Sequence, residues 1–219
     1  MIRIFTLITL LFLTSGKIVG QSGVLGYISP GPHFINQDEL NGALPGLGLS
    51  RVNPSMFAFG LGGSSISGRF VFGADATLFM VDTLSGLARS GSLNYIFGTI
   101  HAGYIIANID RRFLLFPAAA AGGGIGRLVN KPAGQNRKQY NSGGAVADFS
   151  LRAIYLPPLQ GEDRYSLLLG IQGGYQLAFP SDPWSLKDVG QSGNSIPVAP
   201  KGPYFRILLG FGLWNNGRN

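Results

Sequence analysis

The chain has 219 residues, two of them histidine and none cysteine, so nucleophilic or metal chemistry must be built from few parts. His101 shares one face of a predicted strand with Thr99, and Asp75 lies on the corresponding face of the preceding strand. A His–Asp pair with a hydroxyl such as Ser150 in reach is the constellation of a lipid hydrolase or acyltransferase. The carboxylate orients the imidazole, and the imidazole takes the serine proton. The competing reading is a polar network among interior side chains, made of Asp75, His101, Asp148, Arg152, Gln172 and Arg206. Interior charges must neutralise one another, since an unpaired one costs several kcal/mol. His101 falls mid-strand rather than at an exposed strand end, which favours the network.

Other chemistry finds little support. Without cysteine there is no thiolate metal site and no disulfide, and His33, set between Pro32 and Phe34, is the single further histidine; no metal is expected. The glycines at Gly122, Gly123, Gly124 and Gly126 fit neither a dinucleotide fingerprint nor a phosphate loop, and no Lys-Ser/Thr follows them. Gly190-Gln191-Ser192-Gly193-Asn194 misses the final glycine of a nucleophile elbow. The expectation is no cofactor and no catalysis. Arg127, Lys131, Arg137 and Lys138 make one connection basic. On an outer surface that patch suits the phosphates of lipopolysaccharide, against the plainer reading of a merely soluble loop.

The elements that must carry these residues read as strands. Glycine occurs 34 times and charged residues make up 12%, against about 7% and about 25% in ordinary globular chains. Hydrophobic residues make up 45% and aromatics 11%, too apolar for disorder. No Gly-X-Y period supports a collagen helix, and no uninterrupted apolar run reaches the ~20 residues of a membrane-spanning helix. Apolar and small or polar residues instead alternate, as they do along a sheet with two unlike faces. Phe205, Ile207, Leu209, Phe211 and Leu213 alternate with Tyr204, Arg206, Leu208, Gly210, Gly212 and Trp214. The same period runs through 145–156, 165–179, 70–80 and 56–64, and less cleanly through 93–107. The segment 113–127 is apolar on both faces, and Pro117 inside it predicts a break or bulge.

These strands run about 9 to 15 residues, long against the soluble mode of about 5 to 6. Their connections alternate between short (65–67, 108–112, 157–164) and long (81–92, 128–143, 180–203). Short turns at one end and long loops at the other mark a membrane barrel. An even strand count requires one more strand before Met56, and Gly23 to Phe34 is the candidate despite Pro30 and Pro32. A short helix is predicted over Asn36 to Leu44, with Asn36 and Glu39 at its start and Pro45-Gly46 at its end. The polar faces hold mostly Gly, Ala, Ser and Gln with isolated charges, which suits a narrow lumen better than a solvated surface. Tyr155, Tyr165, Phe179, Phe205 and Trp214 lie near strand ends, where interfacial girdles form.

The first twenty residues read as a cleaved signal peptide: Arg3, the apolar stretch Ile4 to Leu13, then Ile18 and Gly20 before a cut at Gln21. The mature domain is then 21–219, and its net charge falls from +7 to +5 with the loss of Arg3 and Lys17.

On these strands, and on the terminal Tyr204-Phe205-Arg206-Ile207-Leu208-Leu209-Gly210-Phe211-Gly212-Leu213-Trp214, the mature chain resembles the small outer-membrane β-barrel proteins of diderm bacteria, the OmpA/OmpX-like group. The resemblance implies an all-β, antiparallel up-and-down transmembrane barrel of eight strands. It implies an outer-membrane location and recognition of the last, aromatic-ended strand by the barrel-assembly machinery. Five residues, Asn215 to Asn219, follow that aromatic end. The expected partners are outer-membrane lipid, lipopolysaccharide and that machinery, with no nucleic acid. The expected role is structural, adhesive or accessory, with a plugged lumen. Two rival readings stay open: a lipid-modifying barrel enzyme using His101, and a soluble secreted β-barrel or sandwich binding an apolar ligand.

Overall fold

The structure, a computed structural model, describes residues 22–34, 41–42, 45, 55–86, 89–110, 112–132, 138–159, 162–180, 185–186 and 201–215. Eight long strands dominate it: β1 Ser22–Phe34, β2 Ser55–Ser67, β3 Phe70–Gly86, β4 Arg89–Tyr104, β5 Phe113–Pro132, β6 Lys138–Tyr155, β7 Glu162–Pro180 and β8 Gly202–Asn215. Each pairs antiparallel with its neighbours in sequence, and β8 pairs with β1, which closes the sheet into a barrel. Short segments at 107–109, 158–159 and 185–186 add a few rungs at the rims. The fold is the all-β, eight-stranded antiparallel barrel that the alternation implied.

The doubtful first strand is complete, and its prolines explain how. The N–H groups of a strand alternate between its two neighbours, so prolines two apart remove donors toward the same side. The ladder to β2 accordingly runs unbroken from Ser22 to Phe34. The ladder to β8 stops at Ile28↔Leu209 and resumes in the same register at His33↔Tyr204. Pro117 behaves alike: β5 itself continues, and the break falls opposite it. The β4 ladder ends at Gly103↔Ala118, and pairing resumes one residue out of register at Ala107↔Leu115.

Two of the expected long loops are corrected. Residues 81–86 and 89–92 form a hairpin of β3 and β4 with only 87–88 between them, and β5 and β6 extend through 128–132 and 138–143. Once both faces of a strand meet water, apolar alternation is no longer selected, yet backbone pairing continues. The pattern therefore fades before the strand ends. At the opposite end, β2 turns into β3 through Gly68 and Arg69, and the positive φ of 61° at Gly68 is a conformation glycine adopts without a Cβ clash. The helix predicted over 36–44 lies outside the described residues, apart from Asn41 and Gly42, which are helical. The proposed signal peptide, 1–20, also lies outside them.

The interior is layered. At the short-turn end the inward side chains are apolar: Leu25, Ile66, Val71, Ile105, Leu114, Phe116, Ile154, Leu156, Leu168, Leu208 and Trp214 pack as one buried cluster. Trp214 is thus an inward residue, 9% exposed, and not part of a girdle. Its ring lies over Gly23, where a Cβ would stand 2.8 Å from it. Near the long-loop end, Met56, Phe79, Leu93, Tyr95, Phe97 and Leu128 are buried, with Phe97 stacked on Tyr95 and edge-on to Phe79. The polar side chains lie between these layers.

Candidate functional site

The inward polar residues form two groups. The first lies just above the apolar layer at the short-turn end. Asp75 of β3 accepts hydrogen bonds from the Tyr27 hydroxyl (2.8 Å to Oδ1) and from Arg152 Nη2 (2.8 Å to Oδ2). Arg152 Nη1 donates to the Tyr27 oxygen at 2.5 Å. His101 Nδ1 stands 2.9 Å from Asp75 Oδ2, a polar contact whose alignment falls short of a hydrogen bond. His101 Nε2 is 3.0 Å from Ser64 Oγ and 3.5 Å from Arg152 Nη1. Facing a hydroxyl and a guanidinium, Nε2 is placed to accept, which leaves the ring proton on the Asp75 side. Glycines make this room: a Cβ at Gly62 would strike Asp75 and Tyr27, and one at Gly73 would strike the His101 ring.

The second group lies nearer the long-loop end. The Tyr204 hydroxyl donates to Asp148 Oδ1 and accepts from Gln172 Nε2, each at 2.8 Å. Arg206 Nη1 donates to Thr77 Oγ1 at 3.0 Å, and its guanidinium stacks 4.5 Å from the Tyr204 ring centre. His33, fully buried, lies against Phe79 and Tyr204.

The structure therefore turns all six sequence-chosen lumenal residues inward and divides them: Asp75, His101 and Arg152 in one group, Asp148, Gln172 and Arg206 in the other. The serine that meets His101 is Ser64, not Ser150. Sequence reasoning passed over Tyr27, Ser64 and Tyr204, the three hydroxyls that join the charged groups. Tyr27 and Tyr204 sit at polar-face positions of amphipathic strands, where a large ring with a polar tip has to find an interior partner. That was the available signal.

Outside, every one of the eight strands exposes large apolar side chains, among them Val24, Phe57, Phe72, Ile100, Ile125, Phe149, Ile171 and Phe211 at 49–69% exposure. Among the outward side chains described on these strands the charged one is Arg127, near the end of β5. A water-facing barrel does not carry an unbroken apolar girth of this kind; a bilayer-facing one must. The chain is an eight-stranded transmembrane β-barrel. Tyr155, Tyr165, Phe179 and Phe205 do point outward near the strand ends, as girdle residues of such a barrel do.

Of the basic patch, Arg127 is exposed and donates to Gln139 Oε1 at 2.6 Å. Lys131 and Lys138 fall on the facing ends of β5 and β6, Lys131 across from Ser90 and Lys138 across from Asn130. Their side chains, and Arg137 altogether, lie outside the described residues. Among the described residues no cluster of three His, Asp or Glu could hold a metal ion.

No protein-family model matches the sequence, and no curated protein is similar to it in sequence. Among solved structures the barrel is similar to Ail, the attachment invasion locus protein of Yersinia pestis, at 12% identity over 90% of this chain and 100% of that one, with a TM-score of 0.47. Ail in complex with the heparin analogue sucrose octasulfate gives 12% identity over the same shares and a TM-score of 0.48. Neisserial surface protein A gives 10% identity over 90% of this chain and 99% of that one, with a TM-score of 0.41. These are likenesses of fold alone.

Proposed function

We propose that this barrel resides in the outer membrane of a diderm bacterium as a closed, non-conducting and non-catalytic scaffold. In this reading the hairpins at its long-loop end make adhesive contacts with anionic surfaces. The observation that carries the reading is the layered interior. An apolar layer at the short-turn end, two neutralised polar groups and an aromatic layer leave each lumenal charge near an opposite one, and eight strands give room only for side chains. The β5–β6 hairpin extends past the apolar girth and carries the basic positions 127, 131, 137 and 138, which are suited to phosphate or sulfate groups.

The test is a paired one. The membrane fraction of producing cells is run unheated and boiled on SDS gels, and the purified barrel is then reconstituted into planar bilayers. A heat-dependent mobility shift without steady conductance supports the reading. A soluble, unshifted protein overturns the membrane location, and a stable open channel overturns the plugged lumen.

One observation favours a second reading. Ser64 Oγ, His101 Nε2, His101 Nδ1 and Asp75 Oδ2 stand in the order and at the spacings of a nucleophile, base and orienting carboxylate, 3.0 and 2.9 Å apart. Against it, Arg152 and Tyr27 share the Asp75 carboxylate, and Ser64 is 1% exposed above the apolar layer. A changed lipid profile in cells carrying the wild type but not His101→Ala, with both proteins folded, would establish the enzyme.

A further inference from the structure

The β1–β8 junction is the one place within the apolar girth where a ladder of the described strands is interrupted without a change of register. Continuing that register puts Pro30 opposite Ile207 and Pro32 opposite Phe205. Neither proline has an N–H to give, so the carbonyls of Ile207 and Phe205 lose their donors across the junction, where lipid offers no substitute. The two backbones stay close there, since a Cβ at Gly31 would run into the Phe205 carbonyl. Directly inside lies Arg206, 5% exposed, with its Nε unpaired and its Nη1 donating to Thr77 Oγ1. A junction that lacks two backbone donors and faces lipid thus fronts a buried guanidinium whose Nε is unpaired.

We propose that the Pro30–Pro32 stretch of this junction is a lateral portal through which a single-chain anionic amphiphile of the bilayer brings its headgroup to Arg206. The proposal rests on the reading of the chain as a membrane-embedded barrel. The two prolines lie on the half of β1 nearer its long-loop end, so the portal opens toward the leaflet on that side. The headgroup is a carboxylate or similarly small anion, because it must pass between adjacent strands. The alkyl chain stays in the bilayer against the outward faces of Ile28 and Ile207. Parting these strands at Pro30–Pro32 breaks fewer backbone hydrogen bonds than parting a neighbouring pair at the same level, because two donors are missing there.

The probe is dodecanoate with a diazirine close to its carboxylate, irradiated with the full chain in phosphatidylcholine vesicles. The adducts are then mapped by peptide mass spectrometry. Adducts are expected on the inward residues Ser29, His33 and Tyr204. Arg206→Met should cut them about tenfold or more, as loss of a charge-assisted hydrogen bond implies. Pro30→Val with Pro32→Val restores both donors and closes the junction, so it should cut them as strongly while keeping the barrel at least as heat-resistant. Adducts confined to lipid-facing residues in every protein would overturn the portal and leave the membrane barrel standing. Inward adducts that persist in the double valine variant would overturn this route. A protein without girth adducts or a heat shift would overturn the membrane reading, and the portal with it.

Discussion

Arg152 on β6 reaches across the lumen to Asp75 on β3, with Nη2 2.8 Å from Oδ2, and joins two residues 77 positions apart in the chain. Both carry the same neighbour, since Arg152 Nη1 donates to the hydroxyl of Tyr27, which itself donates to Asp75 Oδ1. The three side chains close a ring of hydrogen bonds between three strands that are not all adjacent in the sheet.

Removing one member should therefore be worse than removing the pair. Arg152→Met leaves a buried carboxylate without its cation, and should cost about 3–5 kcal/mol of barrel stability. Adding Asp75→Asn to it should recover part of that loss. Urea unfolding of the refolded barrel in micelles, read as a double-mutant cycle with Asp75→Asn alone, measures both; a loss in the double variant equal to the sum of the two single losses would show that the pair is not coupled.

The two faces of β8 should respond differently to truncation. Trp214 is packed inward over Gly23, so Trp214→Ala opens a cavity and should cost about 3–5 kcal/mol. Phe211 is 64% exposed to the outside, and Phe211→Ala should cost markedly less in the same unfolding assay.

A charge placed in the middle of the girth should be costly for a different reason. Ile171 lies mid-way along β7 and faces outward. Ile171→Arg should destabilise the vesicle-embedded barrel by about 2–4 kcal/mol, the depth-dependent penalty of a lipid-facing cation. The same change in a water-facing barrel would be near neutral, so the measurement also discriminates against a soluble protein.

The basic hairpin should govern binding rather than stability. Exchanging Arg127, Lys131, Arg137 and Lys138 for glutamate should abolish adhesion of displaying cells to heparin-coated surfaces, and wild-type adhesion should weaken as salt rises. The unfolding midpoint should stay within about 0.5 kcal/mol of the wild type, since surface changes away from packed groups rarely cost more. Adhesion that survives the exchange would move the contact to another loop.

The period-two pattern alone determined the strand character, the lipid-facing side and the inward placement of Asp75, His101, Asp148, Arg152, Gln172 and Arg206, because a strand sends successive side chains to opposite faces. Closure in an even number followed from the end-to-end alternation of short and long connections. Only the tertiary structure decided which inward residues meet. Barrel curvature and strand stagger bring Tyr27, Ser64 and Arg152 around Asp75 and set Ser150 apart from His101, and no local spacing encodes that stagger. It also settled Trp214, which the alternation put on the face of Arg206 and its place at a strand end put in a girdle: the ring is packed inward. It also decided where the hairpins of β3–β4 and β5–β6 end, because hydrogen bonds between backbones carry those strands past the point where their side chains stop distinguishing lipid from lumen.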